Sequence, residues 1–446
     1  MLTVSWRNGV ITSFKLTIGH RPRGHAVQRL FALIKSNRCR IAALLSTSLL
    51  GSCAITDRQD SIVLQVALAS NENEQQSTSR FQSERKIIKD FQQQLKEMQP
   101  GIKLHISIYP EESLEQEIRV RTHSGLGPDL VIADSNQTLS LAADGLTDPI
   151  KLTKERQNLI NPAALERVKT ASGSLAGQPV SQFLQLACFD KRKLKEAPKT
   201  LKELSAASGE GTVFGMVTNL QDLYWSLGSF GAGEALATSL EGKKPSVAAH
   251  ERLTQWMQWL KASSYQQNIV FLRNQAELRK ELIEGEMSWI SCWSSQLPQL
   301  REALKDHLGI APLPSGNFGR ATPITRLQVW ALGKNSSKRQ RAESLKLLNF
   351  MVQPWAQKTY ALKYRTVYPV NPAAALIVSK QLPNGLNAFS EDENKRVGHG
   401  DAIVAAVNAR PKLEKDIQST LNELIFDGLS PEQAATELET QIKAKR

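Results

Sequence analysis

The chain has little cysteine, little histidine and none of the common catalytic motifs. Only four cysteines occur in 446 residues, and neither Cys188 nor Cys292 has a Cys or His neighbour at metal-ligand spacing, so no metal site is read from the sequence. The histidines beyond residue 52 (His105, His123, His250, His307 and His399) stand singly. There is no Gly-x-Ser-x-Gly, no His-Glu-x-x-His, no phosphate loop of the Gly-Lys-Ser type, and no glycine fingerprint after the strand-like run at 62–70. Those absences remove the commonest hydrolases, zinc peptidases, nucleotide hydrolases and dinucleotide-dependent enzymes, and no cofactor is expected. A secreted glycosidase with two facing carboxylates is the enzyme reading left open, because pairs such as Glu111-Glu112 are commonplace among 43 acids.

Acidic residues are absent from residues 1–52, which carry eight Lys or Arg. The formal charge of +13 therefore falls to +5 once those eight are set aside, and no nucleic-acid-binding motif accompanies the remaining basic residues. Arg38 and Arg40 precede an apolar run at 41–50 and then Leu50-Gly51-Ser52-Cys53, the layout of a secretory signal. The tetrapeptide resembles the bacterial lipobox, in which the cysteine is acylated and becomes the mature N-terminus. Residues 1–52 are thus expected to be a signal, Cys53 the lipidation site, and 53–61 a linker from the anchor. The apolar run is shorter than the roughly 20 residues of a membrane span. An uncleaved anchor or a buried helix is the alternative. Residues 1–34 are long for such a signal, which a start site placed too far upstream explains. Export would permit a disulfide between Cys188 and Cys292, but their apolar, strand-like surroundings favour buried thiols.

What the chain does contain is a repeating order of strand and helix. The run at 62–70 reads as a strand, and Phe81, Ile87, Ile88, Phe91, Leu95 and Met98 fall on one helical face. Pro100-Gly101 stops that helix, 102–109 alternates as a second strand, and 114–123 forms the next helix. Gly125, Gly127 and Pro128 then introduce a short apolar run at 129–133, typical of a strand covered on both faces. Asp134-Ser135-Asn136 follows at the strand's end, where open α/β sheets bind ligands and where Asp134 can also cap the next helix. An α/β fold with a parallel or mixed sheet is implied, and the length allows two to three domains.

The runs PDLVIADS and LAADGLTDPI, at 128–135 and 141–150, resemble the extracellular solute-binding proteins of ABC importers, the sugar-binding class that includes the maltose-binding protein. Pro100-Gly101-Ile102-Lys103, Gln178-Pro179-Val180, Pro198-Lys199-Thr200-Leu201-Lys202-Glu203-Leu204 and Val367-Tyr368-Pro369-Val370-Asn371 are similar to family segments and come in family order. So are Gly309-Ile310-Ala311-Pro312-Leu313-Pro314 and the stretch from Asp427 to Ala434, where Ser430 caps a helix and Pro431 begins it. Thr200 and Glu203 have capping-box spacing. Three departures stand out: Phe189-Asp190 for an aromatic-Asn pair, Cys292 for a glycine, and Thr325-Arg326-Leu327 where relatives carry a glycine pair.

The resemblance implies a two-lobed periplasmic-binding-protein fold of type II, with a hinge and a solute held between the lobes. The expected segments are lobe 1 at 62–165, lobe 2 at 166–305, a return to lobe 1 at 306–365, and hinge plus lobe 2 helices at 366–446. A lipid-anchored monomer, outside the cell membrane, would deliver its solute to permease subunits driven by a separate ATPase.

No tryptophan lies between Trp6 and Trp225, and the seven later ones point to a sugar, whose C–H faces stack on indole. Tyr224, Trp225 and Trp293 are the stacking candidates, while Asn71, Glu72, Asp134 and Arg326 are candidates for hydroxyls. Core packing of Trp225 and Trp293, and solvation of Asn71 and Glu72, are the alternatives for these positions. Trp256 and Trp259, three apart on one helical face, read as core. A polyamine, an anion gripped by Arg326, or an envelope sensor or scaffold that has lost transport are the alternative functions.

Overall fold

The computed structural model describes residues 3–7, 10–15, 61–70, 78–381, 391–426 and 428–443. The chain divides into two units, 1–60 and 61–446. In the first, β1 (Thr3–Arg7) and β2 (Val10–Lys15) form an antiparallel pair. The expected signal core and lipobox, Cys53 and the linker as far as residue 60 lie outside the described residues, as do Asn71 and Glu72.

The second unit opens with the expected alternation: β3 (Ile62–Ser70), α1 (Thr78–Met98), β4 (Ile102–Pro110), α2 (Leu114–His123), β5 (Leu130–Ala133) and α3 (Ser135–Ala143). β4, β3 and β5 pair in parallel in that order. All four β5 side chains are buried, and their alternation explains why. Leu130 and Ile132 join a core with Leu64 and Val66, whereas Val131 and Ala133 face the opposite layer with Ile118 and Leu141. Asp134 caps α3, its carboxylate accepting Gln137 N–H at 2.9 Å.

After β6 (Thr147–Asp148), α4 (Lys154–Gln157) and α5 (Pro162–Glu166) comes β7 (Gln178–Asp190), a 13-residue strand buried along nearly its whole length. The next elements are α6 (Leu201–Gly209), β8 (Phe214–Val217), α7 (Leu220–Ser229), α8 (Gly233–Leu240), α9 (Val247–Ser264), β9 (Ile269–Leu272), α10 (Gln275–Glu284), β10 (Trp289–Trp293), α11 (Leu297–Leu304) and β11 (Leu308–Ala311). The chain ends with β12 (Thr325–Gly333), α12 (Lys338–Met351), α13 (Pro354–Tyr364), β13 (Tyr368–Pro369), α14 (Pro372–Gln381), α15 (Glu391–Asn408), α16 (Pro411–Phe426) and α17 (Pro431–Lys443).

β7 belongs to two sheets. Its first half, Gln178 to Leu184, lies antiparallel to β12, which in turn lies antiparallel to β5. Its second half, Gln185 to Asp190, is flanked by β10 and β11, and β10 continues to β8 and β9. β7 therefore changes partners from β12 to β10 at residues 184–185. β11 pairs with residues 187–190 of β7. Thr325-Arg326-Leu327, the departure from the relatives' glycine pair, begins β12.

The second lobe packs helices on one face of its sheet around Leu223, Trp225, Trp256, Trp289, Leu421 and Leu438, so α16 and α17 complete this core. Trp256 is fully buried with its indole N–H on Ser226 Oγ at 2.8 Å, as the helical spacing implied. The other face holds Leu186, Cys188, Ile290 and Cys292. Here the reading of free thiols is corrected: Cys188 and Cys292 are disulfide-bonded, with Cα atoms 5.8 Å apart. Cys188 lies opposite Ile290, so Cys292 is its diagonal neighbour on the same face, close enough for a bridge. Thr200 caps α6 by accepting Glu203 N–H, but the Glu203 carboxylate takes the N–H of Lys199 at 2.7 Å, one residue earlier than a capping box requires. Among the described residues no helix is long and apolar enough to cross a membrane.

Candidate functional site

Strand order decides where a cleft forms. The ends of β3 and β4 and the start of β12 face the first turns of α7 and α10 and the end of β10, around a cavity of about 600 Å³. Both lobes line it: Ser70, Glu111, Arg326 and Gln328 from one, Asp222, Gln275, Trp293 and Gln296 from the other, with Phe183 of the shared strand between them.

Arg326 occupies the second position of β12, paired with Phe183 of β7. Its Nη2 donates to Glu111 Oε1 at 2.8 Å, and Asp134 Oδ2 lies 3.9 Å away. Glu111 follows β4 directly; its N–H donates to Ser70 O, and Gln137 donates from its side chain to the Glu111 carbonyl at 2.7 Å. On its other side the guanidinium carbon lies 5.7 Å from the Trp293 ring centre.

Trp293 is in turn fixed by an acid. Its indole N–H donates to Asp222 Oδ1 at 2.7 Å, and Gln275 donates to the same oxygen at 2.8 Å. The second oxygen, Oδ2, accepts the amide of Asn219 at 2.7 Å, while the Asn219 carbonyl oxygen caps α7 through Asp222 N–H. Gln296 accepts the backbone N–H of Trp293 and donates to Gln275. Glu111, Arg326, Trp293, Asp222 and Gln275 therefore make one polar chain from lobe to lobe.

Burial pushes the Glu111 carboxyl above the ordinary glutamate range; Arg326 opposes that rise, and the nearby Asp134 adds to it. For Arg326, burial would lower the basicity, but Glu111, Asp134 and Asp222 together outweigh it and raise the guanidinium above its usual value. Glu414, also on the cleft, is raised by burial and then by the charge of Asp134. The lining thus combines side-chain amides, acids and arginines in fixed hydrogen-bond networks with an indole, a set suited to holding a polar, uncharged solute.

The structure brings Arg326, Asp134 and Trp293 together. Asp134 lines a small pocket beside the main cleft, shared with Arg326. Trp293 lines the cleft but is only 1% exposed, with the guanidinium over its ring, so it is a wall and not an open stacking platform. Tyr224 and Trp225 require correction. Both are buried in the lobe 2 core: Trp225 lies edge-on to Trp259 of α9 and Trp289 of β10, and Tyr224 lies beside Gly400 of α15. Glu111, Asp222, Gln275 and Asn219 carry no distinguishing sequence signal: Glu111-Glu112 is one of many acidic pairs, and Asn219-x-x-Asp222 carries only the signal of a helix cap.

A family model for bacterial extracellular solute-binding proteins matches residues 86–388. The chain belongs to that family, and its fold is the type II fold of maltose-binding proteins. No curated protein matches the sequence. Among solved structures, the GacH receptor of Streptomyces glaucescens, determined free and with acarbose, is 15% identical with a TM-score of 0.63, over 86% of this chain and 100% of that one. MalX of Streptococcus pneumoniae, in complex with maltopentaose, is 16% identical with a TM-score of 0.63, over 85% and 99%. The maltose/maltodextrin-binding domain MalE of Bdellovibrio bacteriovorus, bound to maltotriose, is 16% identical with a TM-score of 0.60, over 86% and 99%.

Proposed function

We propose that the chain captures a carbohydrate or sugar-derived solute in the interlobe cleft and delivers it to permease subunits of an ABC importer, acting by binding and not by catalysis. The observation that carries the sugar reading is the Trp293 wall set between the fixed acids Asp222 and Glu111 and the amides of Gln275 and Gln296. Hydroxyls both donate and accept, so they match such a lining at every lone pair and N–H it presents. Fold neighbours crystallised with maltodextrins and acarbose point the same way.

Asn71 and Glu72 remain proposed hydroxyl partners, since Ser70, the residue before them, lines the cleft. Residues 1–52 are proposed as an export signal and Cys53 as an acylated anchor holding a monomer near its permease, outside the cell membrane. Lobe closure on the solute, about the hinge that β7 and β12 form, is the proposed motion.

A thermal-shift screen of residues 54–446 tests this against maltodextrins, monosaccharides, polyamines and phosphate esters. A concentration-dependent rise in melting temperature with a carbohydrate, abolished in Trp293→Ala, is the expected result. A rise with a polyamine or phosphate ester alone would overturn the sugar reading and leave the fold standing.

A further inference from the structure

We infer that Glu111 sets the charge selectivity of the cleft: by occupying the Arg326 guanidinium it turns away anionic sugars and admits neutral ones. This rests on the carbohydrate reading above.

A guanidinium beside a sugar site is the natural partner of a carboxylate or phosphate, which it can bind with two parallel hydrogen bonds. Here that role is filled from within. Glu111 holds Nη2 at 2.8 Å, and Asp134 stands 3.9 Å from the same nitrogen. With Glu111 in the cleft and Asp134 in the small pocket beside it, two carboxylates surround one guanidinium and leave its neighbourhood with a negative balance. The pair is half-buried, with side-chain exposures of 21% for Arg326 and 27% for Glu111. An incoming sugar acid would place its carboxylate beside Glu111, in surroundings where like charges repel far more than in bulk water. A neutral hydroxyl joins the same pair without adding charge.

Arg273 and Arg279 also line the cleft, from the α10 side, so the inference is exposed to a direct test. The full chain, purified in detergent, is titrated with matched probes and followed by tryptophan fluorescence: glucose and glucuronate, galactose and galacturonate, maltotriose and its terminal C6-oxidised acid. Wild type is expected to bind the neutral member of a pair at least tenfold more tightly. Glu111→Gln should narrow that ratio at least tenfold, and adding Arg326→Gln should restore it. A wild type that binds the acid equally well, or an unchanged ratio in Glu111→Gln, overturns the inference.

A second arm needs no sugar. Inorganic phosphate should raise the melting temperature of Glu111→Gln but not of wild type or the Glu111→Gln/Arg326→Gln double variant. Phosphate stabilising wild type as strongly as Glu111→Gln overturns the inference even if the single variant is poorly folded. Failure of every sugar to bind wild type, with the phosphate result as expected, counts against the carbohydrate reading and leaves the selectivity role of Glu111 in place.

Discussion

Arg326 Nη2 donates to Glu111 Oε1 at 2.8 Å while the same guanidinium lies over the Trp293 ring. An acid of the first lobe and an indole of the second thus share one cation on the strand that returns between them. A displacement of one lobe against the other, if it occurs as proposed, would have to rearrange that contact.

Asp222 holds the second half of this arrangement. Its carboxylate accepts side-chain hydrogen bonds from Trp293, Gln275 and Asn219 and is 5% exposed. Asp222→Asn turns an amide N–H toward donors, and hydrogen bonds to a buried charge contribute about 1.5–3 kcal/mol each. Urea denaturation should show a loss of about 2 kcal/mol or more, together with at least tenfold weaker solute binding. Unchanged stability and affinity would show that the indole does not depend on this acid.

The bond between Cys188 and Cys292 closes a sequence separation of 104 residues. A loop of about 100 residues limits the unfolded chain by up to roughly 4.7 kcal/mol, and typical measured effects are about 2–4 kcal/mol. Cys188→Ser/Cys292→Ser should therefore lower the denaturation midpoint, and reductant should destabilise wild type but not the double variant. Alkylation of both cysteines in unreduced, unfolded wild-type protein would contradict the bond.

Arg167, Thr325 and Asp401 tie three separate segments together at the start of β12. Arg167 Nη1 meets Asp401 Oδ2 at 2.8 Å, and Asp401 Oδ1 accepts the N–H of Thr325 at 2.7 Å. Removing one partner leaves the other charge buried, a loss of about 3–5 kcal/mol in comparable pairs. Arg167→Met should destabilise on that scale by equilibrium denaturation, and Arg167→Met/Asp401→Leu should recover much of the loss. A single variant with wild-type stability would show that the ion pair does not hold these segments together.

His250 bridges α9 to α17, its ring nitrogens 3.0 Å from Glu439 and 3.1 Å from Glu432. Burial lowers the imidazole pKa, but the two glutamates outweigh burial and raise it. A histidine raised on folding stabilises fully below its unfolded pKa of about 6.5, and that contribution is lost as pH rises through the folded value. Wild type should thus melt above His250→Gln at pH 5.5, by up to about 1 kcal/mol in stability, with the gap closing by pH 8.5. An equal gap at both values would remove the charged histidine from the explanation.

Sequence periodicity was sufficient for the local elements. Ile62–Ser70, Leu114–His123 and the Asp134 cap appear where alternation, helical spacing and capping chemistry placed them, because each depends on neighbours within a few residues. The family resemblance rested on such short ordered runs and was sound for the same reason. Tertiary pairing alone decided that β7 serves both sheets, that β11 stays with the second, and that Cys188 meets Cys292 diagonally across two strands. It also turned Tyr224 and Trp225 inward and set Trp293 beside Arg326. An aromatic on an amphipathic element reads alike whether it meets a core or a cleft, and contacts between residues far apart in sequence, such as Glu111 with Arg326, leave no local pattern.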